Sequence, residues 1–181
     1  AKIVIKDFFP ELKFHPNVYP DLEFLGCIER RSGTFFVTKI GNFVTEIPLS
    51  VRYATFLYHW IKTTSDIFPG VVLSVMLESI DSIFSFNIHE DIKSNIPLGT
   101  ILNSLLKLWI EHPRLKPKEE NIIKFCNEYK LKSDGLKEAI RRIFEILRIL
   151  LIKFGDIEVF MFNPVSCLDI VKEISGRCFP K

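Results

Sequence analysis

The sequence predicts an α+β fold: a small antiparallel β module, then an α-helical bundle, then a strand with a short helix. Three observations predict it. Up to residue 47 the apolar residues come in short β-branched and aromatic runs separated by Pro, Gly and Arg-Arg-Ser-Gly. After Pro48 they recur at three- and four-residue spacing through most of the next hundred residues. Beyond Gly155 the pattern returns briefly to a strand-like run. The expected units are therefore residues 1–47, 48–155 and 156–181.

Taken in order, residues 2–5 alternate as a first strand, and Pro10, Pro16 and Pro20 break the chain into an irregular linker. Residues 22–28 and 34–38 read as strands either side of Arg30-Arg31-Ser32-Gly33, a turn in which Gly33 can take positive φ. Gly41-Asn42 reads as another turn before a strand over 43–47, giving a three- or four-stranded meander. A sheet of that size has a face to cover and must dock on the rest of the chain.

Pro48 suits the first turn of a helix, where its missing N–H costs nothing. The helix over 49–63 then places Leu49, Tyr53, Leu57 and Trp60 on one stripe, with Phe56 and Ile61 beside it. A second helix after Pro69, over 71–86, carries Val72, Met76, Ile80 and Ile83. A third over 98–111 carries Ile101, Leu102, Leu105, Leu108 and Trp109. Pro117 with Glu119 and Glu120 opens a fourth, its early carboxylates favoured by the helix dipole. In the fifth, Leu136, Ile140, Ile143, Leu147, Leu150 and Phe154 form a two-heptad seam that Gly155 ends. Residues 157–162 read as a strand, Asn163-Pro164 as a turn and 165–174 as a short helix.

Composition bounds the function. The 181 residues are 48% hydrophobic and 25% charged, which is a folded, core-rich chain. Seventeen Phe exceed what a small core usually needs, so either the body is densely packed or, the favoured reading, some of this surface is kept dry by another chain. No apolar run reaches the roughly 18 residues a bilayer span requires, and no basic-then-apolar leader opens the sequence, so the cytoplasm is the expected setting. The four cysteines, Cys27, Cys126, Cys167 and Cys178, lack metal or redox spacing. Buried free thiols are favoured over a Cys167–Cys178 disulfide. The absence of Gln and the abundance of Ile, Lys and Glu point to a thermophilic, archaeal source.

Chemistry-bearing motifs are missing. His15, His59, His89 and His112 are dispersed, no nucleophile elbow occurs, and the glycines form no phosphate loop. An enzyme would have to assemble a site from residues such as Asp66, His89 and Glu90; no catalytic residue, metal or cofactor is expected. Charge is more informative. The net charge is +2, yet residues 114–153 hold eleven Lys and Arg against six Asp and Glu. Lys137, Arg141, Arg142 and Arg148 lie off the seam of the fifth helix, and Arg30-Arg31 marks the turn. Solvated faces are the simpler reading of both. The alternative for the helix is a winged-helix-like nucleic-acid binder that uses Lys137, Arg141 and Arg142, with the strand over 157–162 as its wing; for Arg30 and Arg31 it is contact with nucleic-acid phosphate or an acidic partner.

The segment Leu12-Lys13-Phe14, Tyr19-Pro20-Asp21-Leu22, Leu25-Gly26 and Ile28-Glu29-Arg30, followed by Glu46-Ile47-Pro48-Leu49, resembles the GINS replication-complex subunits whose β domain comes first. The resemblance covers residues 1–60 by motif and 61–154 by helical content. It departs from the family where Ser50 stands in place of the usual Trp after Pro-Leu, and the tail after residue 156 has no counterpart. The resemblance implies a non-enzymatic subunit paired with a paralogous GINS-type subunit in a hetero-oligomer that bridges the replicative helicase to a RecJ-like partner. The subunit interface would then fall on the apolar faces carrying Leu102, Leu105, Trp109, Leu136, Ile140, Ile143, Leu147 and Leu150.

Overall fold

A computed structural model of the chain describes residues 18–83, 118–155 and 164–179. It is mostly helical, with one two-stranded antiparallel sheet ahead of the main helices, an α+β fold. The elements are α1 (Val18–Phe24), β1 (Ile28–Arg31), β2 (Thr34–Val37), α2 (Lys39–Glu46), α3 (Val51–Thr64), α4 (Ile67–Glu78), α5 (Ile80–Ile83), α6 (Glu119–Tyr129), α7 (Ser133–Phe154) and α8 (Pro164–Cys178).

The N-terminal module differs from the expected meander. Only β1 and β2 are strands among the described residues, paired Ile28↔Val37 through Arg31↔Thr34. Ser32 and Gly33, both at positive φ (48° and 78°), make the two-residue turn, as the right-handed twist of a tight hairpin demands. The strand expected over 22–28 begins only at Ile28: α1 runs to Phe24 and the chain turns through Gly26 at φ 69°. Residues 43–47 are not a strand and belong to α2 and its exit. There Thr38 caps the helix, its hydroxyl accepting from the Gly41 N–H at 3.1 Å. Gly41 does not turn the chain. It lets α2 lie close to the base of the hairpin, since a Cβ there would meet the Cys27 carbonyl and come within 2.7 Å of Val37 Cγ1.

Pro48 precedes the next helix instead of opening it. The Leu49 N–H donates to the Ile47 carbonyl at 2.8 Å, an i to i+2 bond centred on Pro48, and α3 starts at Val51 behind Ser50. α3 ends on Ser65 in the left-handed region. α4 is apolar all round, Phe68 to Met76 being buried without a break, which is the pattern of a central helix. It packs against α3 on one side and α7 on another. The second helix expected over 71–86 thus starts earlier and stops at Glu78, with α5 as a separate turn.

α7 is 22 residues long, about 33 Å. Its seam is the expected one: Leu136, Ile140, Ile143, Leu147 and Leu150 are buried, joined by Ala139 and Ile146. α7 also packs on α5 and α6, and Gly135 permits the close approach to α5, where a Cβ would come within 2.6 Å of the Ser82 carbonyl carbon. α8 lies on α3, burying Ile174 and Cys178 and setting Phe179 5.3 Å from the Tyr53 ring. Leu25, Cys27, Phe43 and Ile47 share one hydrophobic core with these helices, so the small module docks on the bundle. The expected strand over 2–5, third helix over 98–111 and strand over 157–162 lie outside the described residues.

Candidate interaction surface

Two of the sequence's candidate sites become internal structure. Leu136, Ile140, Ile143, Leu147 and Leu150, expected at a subunit interface, are buried within this chain. α4, α5 and α6 already occupy that face of α7, so the assignment is corrected: a partner could not reach these side chains without opening the core. Phe154, expected to complete the seam, is exposed. Leu102, Leu105 and Trp109 lie outside the described residues.

The basic strip is likewise engaged. Arg141 pairs with Glu138 at 2.6 Å and with Glu145, and Lys137 pairs with Glu119 at 2.5 Å. These carboxylates raise the pKa of both cations, Glu138 and Glu119 respectively dominating through side-chain hydrogen bonds. Arg142 holds three elements together. It pairs with Glu78 at the end of α4 and donates to the Pro48 carbonyl at 3.1 Å and to Ser79 Oγ at 3.4 Å. Glu78 in turn accepts the Ser50 N–H at the head of α3 at 2.6 Å. Burial works to raise the Glu78 pKa, but the bonds from Ser50 and Arg142 outweigh it and hold the carboxyl below its usual range. Arg142 is thus a bracing residue between α4, α7 and the Pro48 connector.

Among the described residues no three His, Cys, Asp or Glu side chains converge. Asp66 serves structure, its carbonyl accepting from Trp60 Nε1 at 2.8 Å; His89 and Glu90 lie outside the described residues. His59 is half-buried, and desolvation, with Arg177 nearby, lowers its pKa. Cys27, Cys126 and Cys178 are buried free thiols, so the disulfide alternative for Cys178 is not formed. Burial raises the pKa of all three, that of Cys178 to about 11. No described helix is long and apolar enough to cross a membrane. A cleft of about 330 Å³ lies between α1 and the start of α3, lined by Val18, Leu22, Leu25 and Val51, with Arg52 3.7 Å from Asp21 at its edge.

What the sequence reading missed is exposed aromatic surface on both faces of the hairpin and on α1. Phe24 (53% exposed), Phe35, Phe36 (44%) and Val37 face solvent, and Tyr19 stacks on Phe35 with centroids 4.8 Å apart. The Arg30 guanidinium lies 5.7 Å from the Phe35 centroid, while Arg31 is paired with Glu29 at 2.5 Å. Adjacent Phe35 and Phe36 carried the signal. Neighbours in a strand face opposite ways, and a lone hairpin has no second layer to cover both. A smaller apolar area, Leu151, Ile152 (88% exposed) and Phe154, ends α7. No family model, curated protein or solved structure matches this chain.

Proposed function

We propose that this chain is a non-enzymatic assembly subunit that works through protein contacts in the cytoplasm, its specific setting being a GINS-like replication complex. In that setting it joins a paralogous subunit and bridges the replicative helicase to a RecJ-like partner. The observation that carries the assembly reading is the exposure of Tyr19, Phe24, Phe35 and Phe36 among the described residues, with the hairpin aromatics uncovered on both faces of its sheet. The surplus of Phe in the sequence is thus spent partly on the surface. The replication setting rests on the residue motif between Leu12 and Leu49 and on the order of hairpin before helices. The winged-helix alternative gains no support from α7, where Lys137, Arg141 and Arg142 each face a carboxylate.

Purification of the tagged chain from its own cells tests the proposal. A stoichiometric second subunit together with the replicative helicase is the expected outcome. A lone monomer from those cells overturns the assembly reading, and a stoichiometric complex without replication proteins overturns the GINS-like setting alone.

A further inference from the structure

We infer that the outer edge of β2 accepts an extended strand from a partner protein, one bearing a carboxylate on the face it shares with Phe35. The inference rests on the assembly reading and names the surface and the partner's chemistry. Its basis is the hydrogen-bond pattern of the hairpin. The Thr38 N–H donates to the Cys27 carbonyl at 3.0 Å, which makes that pair a hydrogen-bonded one. In an antiparallel ladder such pairs alternate with non-bonded ones. With the observed register, Glu29↔Phe36 and Arg31↔Thr34 exchange bonds across the hairpin. Phe35 and Val37 therefore aim their N–H and C=O groups away from β1.

No third strand meets those groups among the described residues, since the sheet is β1 and β2 alone. α2 leaves at the hairpin base, where Gly41 lies against the Cys27 carbonyl and the Val37 side chain, and none of its backbone groups is bonded to Phe35 or Val37 among the described residues. Exposed Phe35, Phe36 and Val37 line the edge, and β2 carries none of the charges, prolines or bulges that normally guard one. An added strand would satisfy the outward backbone groups and cover apolar surface on both faces.

Charge selects the occupant. Arg30 shares its face with Phe35, its directly opposed residue, and its only described interaction is with that ring. On the other face Arg31 is already neutralised by Glu29. A strand lying beside β2 thus meets an unneutralised cation on the Phe35 face and apolar Phe36 on the other. An acidic residue alternating with an aliphatic one fits both.

The probe is a blocked peptide alternating glutamate with valine, compared with one alternating lysine with valine, by fluorescence anisotropy on the full chain. The glutamate peptide should bind at least about fivefold tighter, and Arg30→Glu should reverse the preference. Val37→Pro removes one outward N–H without touching the inward ladder, so it should abolish binding while the circular dichroism spectrum is kept. No saturable binding by either peptide up to about 1 mM, or binding indifferent to Val37→Pro, overturns the inference. Self-association of the chain that Val37→Pro abolishes makes the occupant a second copy and overturns the acidic-partner assignment. A native complex that forms with wild type and equally with Val37→Pro also overturns strand addition, and leaves the assembly reading standing.

Discussion

Gly70→Ala sets two opposed effects against each other, and the packing of α4 on α3 decides the sign. Alanine gains up to about 1 kcal/mol in helix propensity over glycine, less near a helix start. Gly70 is the fourth residue of α4. Its new Cβ would lie 2.9 Å from Trp60 Cγ and 3.0 Å from Nε1, and nearer still to Cδ1. Trp60 cannot swing aside. It is fully buried, lies along Phe56 with centroids 6.2 Å apart, and its indole N–H is held by the Asp66 carbonyl at 2.8 Å. The helices must separate instead, and overpacking of this kind costs about 1–3 kcal/mol. The expected net loss is about 1–2 kcal/mol, a fall in Tm of roughly 2–8 °C for a chain this long. Gly176→Ala is the internal control. Gly176 lies in α8 with nothing within 4 Å of a Cβ, so the propensity gain is unopposed and Tm should rise. Thermal melts by circular dichroism read both. Trp60 emission should also shift in Gly70→Ala, against a background of the chain's one other Trp. If Gly70→Ala stabilises as much as Gly176→Ala, the close approach of α4 to the indole is wrong.

Three further outcomes follow from the same coordinates. The Glu78 carboxyl is held below its usual pKa, so its contribution is present above the unfolded carboxylate value and lost as pH falls through the lower folded one. Glu78→Gln should therefore cost about 2 kcal/mol near neutrality, with the gap to wild type closing in acid, as urea melts between pH 7 and pH 2 will report. Ser32 adopts φ 48° at a turn position that favours Asn, so Ser32→Asn should raise the urea midpoint slightly, and a fall would contradict the turn geometry. Cys27, Cys126 and Cys178, buried with raised pKa values, should resist iodoacetamide at pH 8 until denaturant is added. Rapid native labelling of Cys178 in peptide maps would contradict the docking of α8.

The helices of the bundle were legible because their apolar spacing has one interpretation. Leu136, Ile140, Ile143, Leu147 and Leu150 cannot all be buried by a strand, and the structure buries all five. The N-terminal module was misread where two periods compete over a few residues. In residues 39–47, Phe43 and Thr45 alternate as a strand would, but Ile40, Phe43, Val44 and Ile47 also fall at i, i+3, i+4 and i+7, and this helical set is the one packed inward. Thr38 ahead of that set was the capping signal. In α1, Leu22 and Leu25 turn inward from a helix whose first turn accommodates Pro20. Both errors shorten the sheet to a hairpin among the described residues.

That shortening moves the candidate site. With three or four strands, Phe35 and Phe36 would have had neighbours to pair with, and the search for a partner's surface would have gone to the helices, as the sequence reading placed it. With two strands among the described residues the β2 edge is open there, while α7 spends its apolar seam on α4, α5 and α6. Periodicity in a sequence identifies which face of an element is buried, but not whether the burying surface belongs to the same chain. Edge status is set by how many strands pair, so an error of one element reverses which residues are available. The α7 seam and the hairpin aromatics therefore exchange roles for a single reason. Once residues 43–47 fold as part of a helix and its exit, they cannot pair with β2, and no strand among the described residues meets the outward N–H and C=O groups of Phe35 and Val37.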